Sequence, residues 1–161
     1  MIAAFALLAA LQAPADSTAG PPPRNHVFFE TGMAVPARSP FGAAGLAVGI
    51  HVTSVPPNGV GMDFAISSYV DPLTHGSVNI LTDLDAAYVS WRPHQPSVVL
   101  RAGLSALTAH GMGLGLNVGA GVMIPVGKTV SLRVDYTYRP LLGDLTGLAL
   151  SGLSVGVGVD Y

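Results

Sequence analysis

The sequence predicts an all-β protein: a closed, antiparallel, up-and-down transmembrane β-barrel of about eight strands, following a cleaved export signal. Three observations carry this. Apolar residues recur at every second position through most of residues 26–161, the period of strands with one apolar face. The opposite face holds mainly Gly, Ala and Ser with isolated charges, not the Lys, Glu and Thr that a water-facing surface requires. Only 10% of residues are charged, where a soluble domain carries about 25%, and mean hydropathy is +0.52.

A length of 161 residues allows one domain. The formal net charge is −2 with basic residues scattered, which leaves no electrostatic footprint for nucleic acid. Cysteine is absent, which removes disulfides and thiol catalysis. The one uninterrupted apolar run, residues 1–11, is too short for a membrane-spanning helix but has the length of a signal-peptide core. Ala13-Pro14-Ala15, or Leu11-Gln12-Ala13, offers small residues for cleavage. Residues 1–15 are therefore assigned to a signal peptide, residues 16–25 to a Pro-rich linker and residues 26–161 to the barrel.

The first strand, residues 26–35, sets Val27, Phe29, Thr31, Met33 and Val35 against Phe28, Glu30, Gly32 and Ala34. The second, residues 43–53, sets Leu46, Val48, Ile50 and Val52 against Gly45, Ala47, Gly49 and His51. Pro56-Pro57-Asn58-Gly59 then reverses the chain, since Pro fixes φ and Gly accepts positive φ. The third strand opposes Val60, Met62, Phe64 and Ile66 to Gly61, Asp63, Ala65 and Ser67. Residues 69–81 lack sustained alternation and read as a longer loop.

In the fourth strand, residues 82–91, Leu84, Ala86 and Tyr88 oppose Asp83, Asp85 and Ala87. Val89 and Trp91 fall on the charged side, so either the strand bulges or its end leaves the barrel. Residues 92–96 turn the chain. The fifth strand sets Val98, Leu100, Ala102 and Leu104 against Val99, Arg101, Gly103 and Ser105. The sixth runs from Met112 to Ile124 with Leu114, Leu116, Val118, Ala120 and Val122 against Gly113, Gly115, Asn117, Gly119, Gly121 and Met123. The seventh opposes Val130, Leu132, Val134, Tyr136 and Tyr138 to Ser131, Arg133, Asp135, Thr137 and Arg139. After a loop at residues 140–147, the last strand opposes Leu153, Val155, Val157, Val159 and Tyr161 to Gly152, Ser154, Gly156, Gly158 and Asp160.

The two faces decide between a soluble and a transmembrane barrel. Large aliphatics suit lipid, and a narrow lumen suits small residues plus a few ionisable ones. Open sheet edges have no place in hydrocarbon, so the last strand must pair with the first.

The export segment, the alternating strands and the ending Leu153-Ser154-Val155-Gly156-Val157-Gly158-Val159-Asp160-Tyr161 together resemble the small outer-membrane β-barrel family of the OmpA and OmpX type. The resemblance covers residues 25–161 and implies a bacterial outer-membrane location among lipid and lipopolysaccharide. It also implies that Leu153, Val155, Val157, Val159 and Tyr161 form the signal read by the barrel-assembly machinery, with Tyr in place of the usual Phe. A monomer is expected.

Candidate chemistry is sparse. His75-Gly76-Ser77 faintly resembles the His-Ser pair of lipid A deacylase barrels, but it falls in a predicted loop with no carboxylate obviously placed as third member. His26, His51, His75, His94 and His110 lack metal-ligand spacing, and no metal or cofactor is expected. The inward ionisable residues Glu30, Asp63, Asp85, Arg101, Arg133 and Asp135 form a lumen polar network, because charges in a narrow lumen must pair or reach water. Such a network is either a salt-bridged filling, which the narrowness favours, or the lining of a small polar path. The leading expectation is a structural or surface-interaction protein, with a narrow porin-like channel second and a lipid A-modifying enzyme third.

Overall fold

The structure is a computed structural model and describes residues 24–36, 44–56, 59–71, 77–91, 95–108, 112–143 and 149–161. The segment expected to be a signal peptide, most of the expected linker, His75, His94 and His110 lie outside these residues.

Eight strands follow one another: β1 (Arg24–Pro36), β2 (Gly45–Val55), β3 (Val60–Asp71), β4 (Ser77–Val89), β5 (Ser97–Thr108), β6 (Met112–Pro125), β7 (Val130–Gly143) and β8 (Ala149–Asp160). Each pairs antiparallel with its sequence neighbours, and β8 returns to β1 to close the barrel. The closing register runs from His26 opposite Asp160 to Pro36 opposite Leu150. That seam leaves no sheet edge, the condition for spanning hydrocarbon with strands. No described helix is long and apolar enough to cross a membrane.

The period of two fixes which side chains meet the outside. Leu46, Val48, Leu104, Leu114, Leu116, Val118, Leu153, Val155, Val157 and Val159 are exposed, whereas Phe28, His51, Asp63, Arg101, Asn117 and Arg133 between them are buried. Large aliphatics on the exposed face and polar residues on the enclosed face invert the soluble arrangement and match a lipid-facing wall.

Three elements differ from the sequence reading. β3 extends to Asp71 and β4 begins at Ser77, so residues 69–81 contribute mostly strand; Tyr69 pairs with Asn79 and Val70 with Val78. β7 likewise runs on to Gly143. Polar residues at the facing ends of β3 and β4, and Pro140 followed by two adjacent leucines in β7, interrupt the alternation, but ladder pairing does not depend on side-chain hydropathy. β4 is also regular. Its register is unbroken from Val60 opposite Tyr88 to Asp71 opposite Ser77, and from Ile80 opposite Thr108 to Val89 opposite Val99. Val89 faces inward because the lumen is apolar at that level: Phe28, Val55, Ala87, Val89, Val99 and Met123 form one buried cluster, with Trp91 packed against it.

The reversal predicted at residues 56–59 is present, and a second tight turn joins β6 to β7. The Gly59 amide donates to the Pro56 carbonyl at 3.1 Å, and the Val126 and Gly127 amides both donate to the Val130 carbonyl. These turns share an end of the barrel with Arg24 and Tyr161, here called the terminal end. The opposite, loop end holds a second buried cluster of Leu81, Leu107, Leu141 and Leu150.

Candidate functional site in the barrel lumen

Between the two apolar clusters lies a band of ionisable side chains contributed by most of the strands. Alternation delivers them: every second residue of each strand points inward, so charges placed at inward positions on opposite walls converge in a narrow lumen.

Arg133 on β7 is the hub and is 1% exposed. Its Nη2 donates to Asp63 Oδ2 at 2.9 Å, its Nη1 to Thr53 Oγ1 at 2.7 Å, and its Nε to Asp135. Thr53 in turn donates to Asp63 Oδ1 at 3.0 Å, and the Phe28 ring lies 5.4 Å from the guanidinium carbon on the terminal side. A buried guanidinium is tolerated when its donors are met by carboxylates and hydroxyls in this way.

His51 on β2 joins this hub to Arg101 on β5. Its Nδ1 lies 2.9 Å from Glu30 Oε1, its Nε2 lies 2.7 Å from Arg101 Nη1, and the same Nε2 lies 3.2 Å from Asp63 Oδ1. Arg101 Nη2 also donates to Thr137 Oγ1. Ser154 on β8 donates to Glu30 Oε2 at 3.0 Å. Nearer the loop end a second ion pair crosses the lumen. Arg139 Nη2 and Nε reach Asp83 at 2.6 and 3.0 Å, and Ser105 also donates to Asp83.

Of the six residues singled out from the sequence, Glu30, Asp63, Arg101, Arg133 and Asp135 are thus brought into one network. Asp85 sits beside it, opposite Asp63 on β3 and Gly103 on β5, with the Asn117 amide as its polar neighbour. His51, Thr53, Asp83, Thr137 and Arg139 were missed. All five share the inward parity of their strands, the signal that would have found them.

Glu30, His51 and Asp135 each offer a ligand atom within 4.8 Å of the others. Those atoms are already engaged: Glu30 with His51, and Asp135 with Arg133. The Arg133 charge beside them opposes a second cation, so the chemistry of the group is that of ion pairs.

At the terminal end His26 stacks on Trp91 with ring centroids 4.7 Å apart, and its Nδ1 lies 2.5 Å from Asp160 Oδ1. This contact ties β1 to β8 at the closing seam. Leu153, Val155, Val157, Val159 and Tyr161 all project outward from β8 and its end and are exposed to the surroundings. His75 and Gly76 of the His-Gly-Ser motif lie outside the described residues, so the deacylase likeness has no geometry here.

A closed eight-stranded barrel with an aliphatic outer wall and an ionic interior has the architecture of a transmembrane β-barrel. Solved structures share the fold. Neisserial surface protein A is similar with a TM-score of 0.62 and 21% identity over 85% of this chain and 97% of that one. The N-terminal β-barrel domain of Pseudomonas aeruginosa OprF is similar with a TM-score of 0.61 and 18% identity, covering 86% and 99%. Ail, the attachment invasion locus protein of Yersinia pestis, is similar with a TM-score of 0.60 and 12% identity, covering 88% and 100%. No protein-family model and no curated protein sequence matches the chain.

Proposed function

We propose that this protein is a monomeric bacterial outer-membrane barrel that serves as a structural or surface-interaction scaffold, with a lumen closed by its own side chains. The observation that carries this reading is the sequence of layers along the barrel axis. The Phe28, Val55, Val89, Val99 and Met123 cluster, the Arg133 network, the Asp83–Arg139 pair and the Leu81, Leu107, Leu141 and Leu150 cluster follow one another across the same narrow space. Eight strands leave an interior just wide enough for side chains, and buried ion pairs with satisfied donors resist separation. The outer wall meets membrane lipid, and the loop end of the barrel faces the exterior, lipopolysaccharide and external partners included. The Ail neighbour, described in complex with a heparin analogue, is a precedent for a barrel of this fold binding a ligand.

Residues 1–15 act in this reading as an export signal. Leu153, Val155, Val157, Val159 and Tyr161 engage the barrel-assembly machinery during insertion, as their outward position on the strand that closes the barrel allows.

The test is release of entrapped small solutes from liposomes carrying the folded protein. The expected rate equals that of empty liposomes. Release that scales with the amount of folded barrel would favour the narrow pore instead.

A further inference from the structure

The Nε2 atom of His51 has two neighbours that make opposite demands. Arg101 Nη1, a donor, lies 2.7 Å away, and Asp63 Oδ1, an acceptor, lies 3.2 Å away. A neutral ring with its proton on Nδ1 donates to Glu30 and accepts from Arg101. A doubly protonated ring still donates to Glu30 but turns Nε2 into a donor, which suits Asp63 and sets two donors face to face at Arg101. One step along the wall an unused donor and a carboxylate wait. Arg101 Nε lacks a hydrogen-bond partner among the described residues, its Nη1 and Nη2 stand only at longer range from Asp63 Oδ2 and Asp135 Oδ1, at 3.7 and 3.9 Å, and Asp85 on β4, with the Asn117 amide as its polar neighbour, lies opposite Gly103, two residues along β5 from Arg101.

A cavity reaches this point, passing beside Leu81 and Arg139 of the loop-end layers. Glu30, His51, Arg101 and Thr137 lie among its lining residues, with Ser67 and Gly152 towards the loop end. The apolar cluster around Phe28 separates the same residues from the terminal end.

We propose that His51 is a proton-binding site open to the loop side of the membrane, and that its protonation transfers the Arg101 guanidinium from His51 Nε2 to the Asp85 carboxylate. The proton comes from water in the cavity and binds Nε2; no other bond is made or broken. The charged groups around His51 are Glu30 on β1, Asp63 on β3, Arg101 on β5, and Arg133 and Asp135 on β7; behind them stand Asp85 on β4 beside Asp63, Asn117 on β6 beside Asp85 and Ser154 on β8 beside Glu30. With Asp83 and Arg139 one layer further on, five carboxyl groups meet three guanidinium groups, so the site accepts a further positive charge. The one-sidedness rests on the closed lumen proposed above. Solute release from liposomes would remove that part and leave the Arg101 transfer standing.

The experiment is a pH titration of the folded full chain in micelles, with nitrogen-15 NMR of the His51 ring and the Arg101 guanidinium. Nδ1 should stay protonated throughout, Nε2 should gain its proton on acidification, and the Arg101 signals should move with the same midpoint. In Asp85→Asn the His51 ring should still titrate while the Arg101 signals lose that coupled movement. Arg101 signals that stay fixed while wild-type His51 titrates would overturn the transfer without recourse to any variant, as would an unchanged coupled response in Asp85→Asn. For the route, Ser67→Leu fills the cavity and should slow exchange of the His51 Nδ1 proton with water; unaltered exchange would overturn loop-side access.

Discussion

Arg133 and Asp63 lie 70 residues apart in the chain and meet across the lumen, Nη2 to Oδ2, at 2.9 Å. The contact joins β7 to β3, strands that do not neighbour one another in the sheet, so it braces the barrel through its interior where the ladder cannot. Removing one partner leaves the other buried and uncompensated. Arg133→Met should therefore cost about 3 to 5 kcal/mol, read by urea unfolding in liposomes. Lys128→Ala, at an exposed turn, should stay within about 0.5 kcal/mol. Equal stability of the two variants would mean that Arg133 is not braced.

The strand order and the identity of the two faces were legible because one physical quantity, the alternation of Leu114, Leu116 and Val118 with Gly113, Gly115 and Asn117, carries both. The turn at Pro56 and Gly59 was legible for a different reason, the fixed φ of proline beside the freedom of glycine. What the sequence withheld was partnership. That Arg133 takes Asp63, Thr53 and Asp135 while Arg139 takes Asp83 depends on strand stagger around the closed barrel, which no single strand encodes. Val89 misled because a lumen was assumed polar along its whole length, whereas the Phe28 layer makes its terminal end apolar. His51 was set aside for lacking metal-ligand spacing, a criterion that does not bear on a histidine serving as a hydrogen-bond bridge.

The facing of β6 allows a paired substitution. Leu116 is 55% exposed and Asn117 is 1% exposed, although they are adjacent. Leu116→Arg places a charge against hydrocarbon and should cost about 2 to 4 kcal/mol near the bilayer midplane. Asn117→Ser loses the amide contacts to Ser105 and Leu104 and should cost about 1 kcal/mol. Urea unfolding in liposomes decides; the reverse ranking would invert the faces.

Gly158 on β8 gives the Phe28 ring its space, since a Cβ at this position would strike the ring itself. Gly158→Val should destabilise by about 1 to 3 kcal/mol through overpacking. Phe28→Ala removes the obstruction, so the double variant should lose less stability than the two single losses added together. Strict additivity in equilibrium unfolding would show that the ring and the glycine do not meet.

Tyr161 is exposed, and its amide donates to the Asn25 carbonyl at 3.1 Å across the seam. The backbone bond survives any side-chain change, so Tyr161→Ala should refold into liposomes nearly as well as the wild type. If the outward residues of β8 are read by the assembly machinery, the same variant should reach the outer membrane in cells at lower yield, and Tyr161→Phe should restore it. Normal cellular yield for Tyr161→Ala would separate this residue from assembly.

The central claim, a lipid-facing aliphatic wall around an interior filled by its own side chains, is tested most directly by spin-label accessibility along β5 and β6. The chain has no cysteine, so single cysteines at Leu104, Ser105, Leu114, Gly115, Leu116 and Asn117 can each be labelled and the protein folded into lipid vesicles. Labels at Leu104, Leu114 and Leu116 should be relaxed strongly by oxygen, which partitions into hydrocarbon, and weakly by a water-soluble nickel chelate. Labels at Ser105, Gly115 and Asn117 should respond little to either. Strong relaxation by the chelate at Leu104, Leu114 and Leu116 would put the aliphatic wall in water and contradict the account.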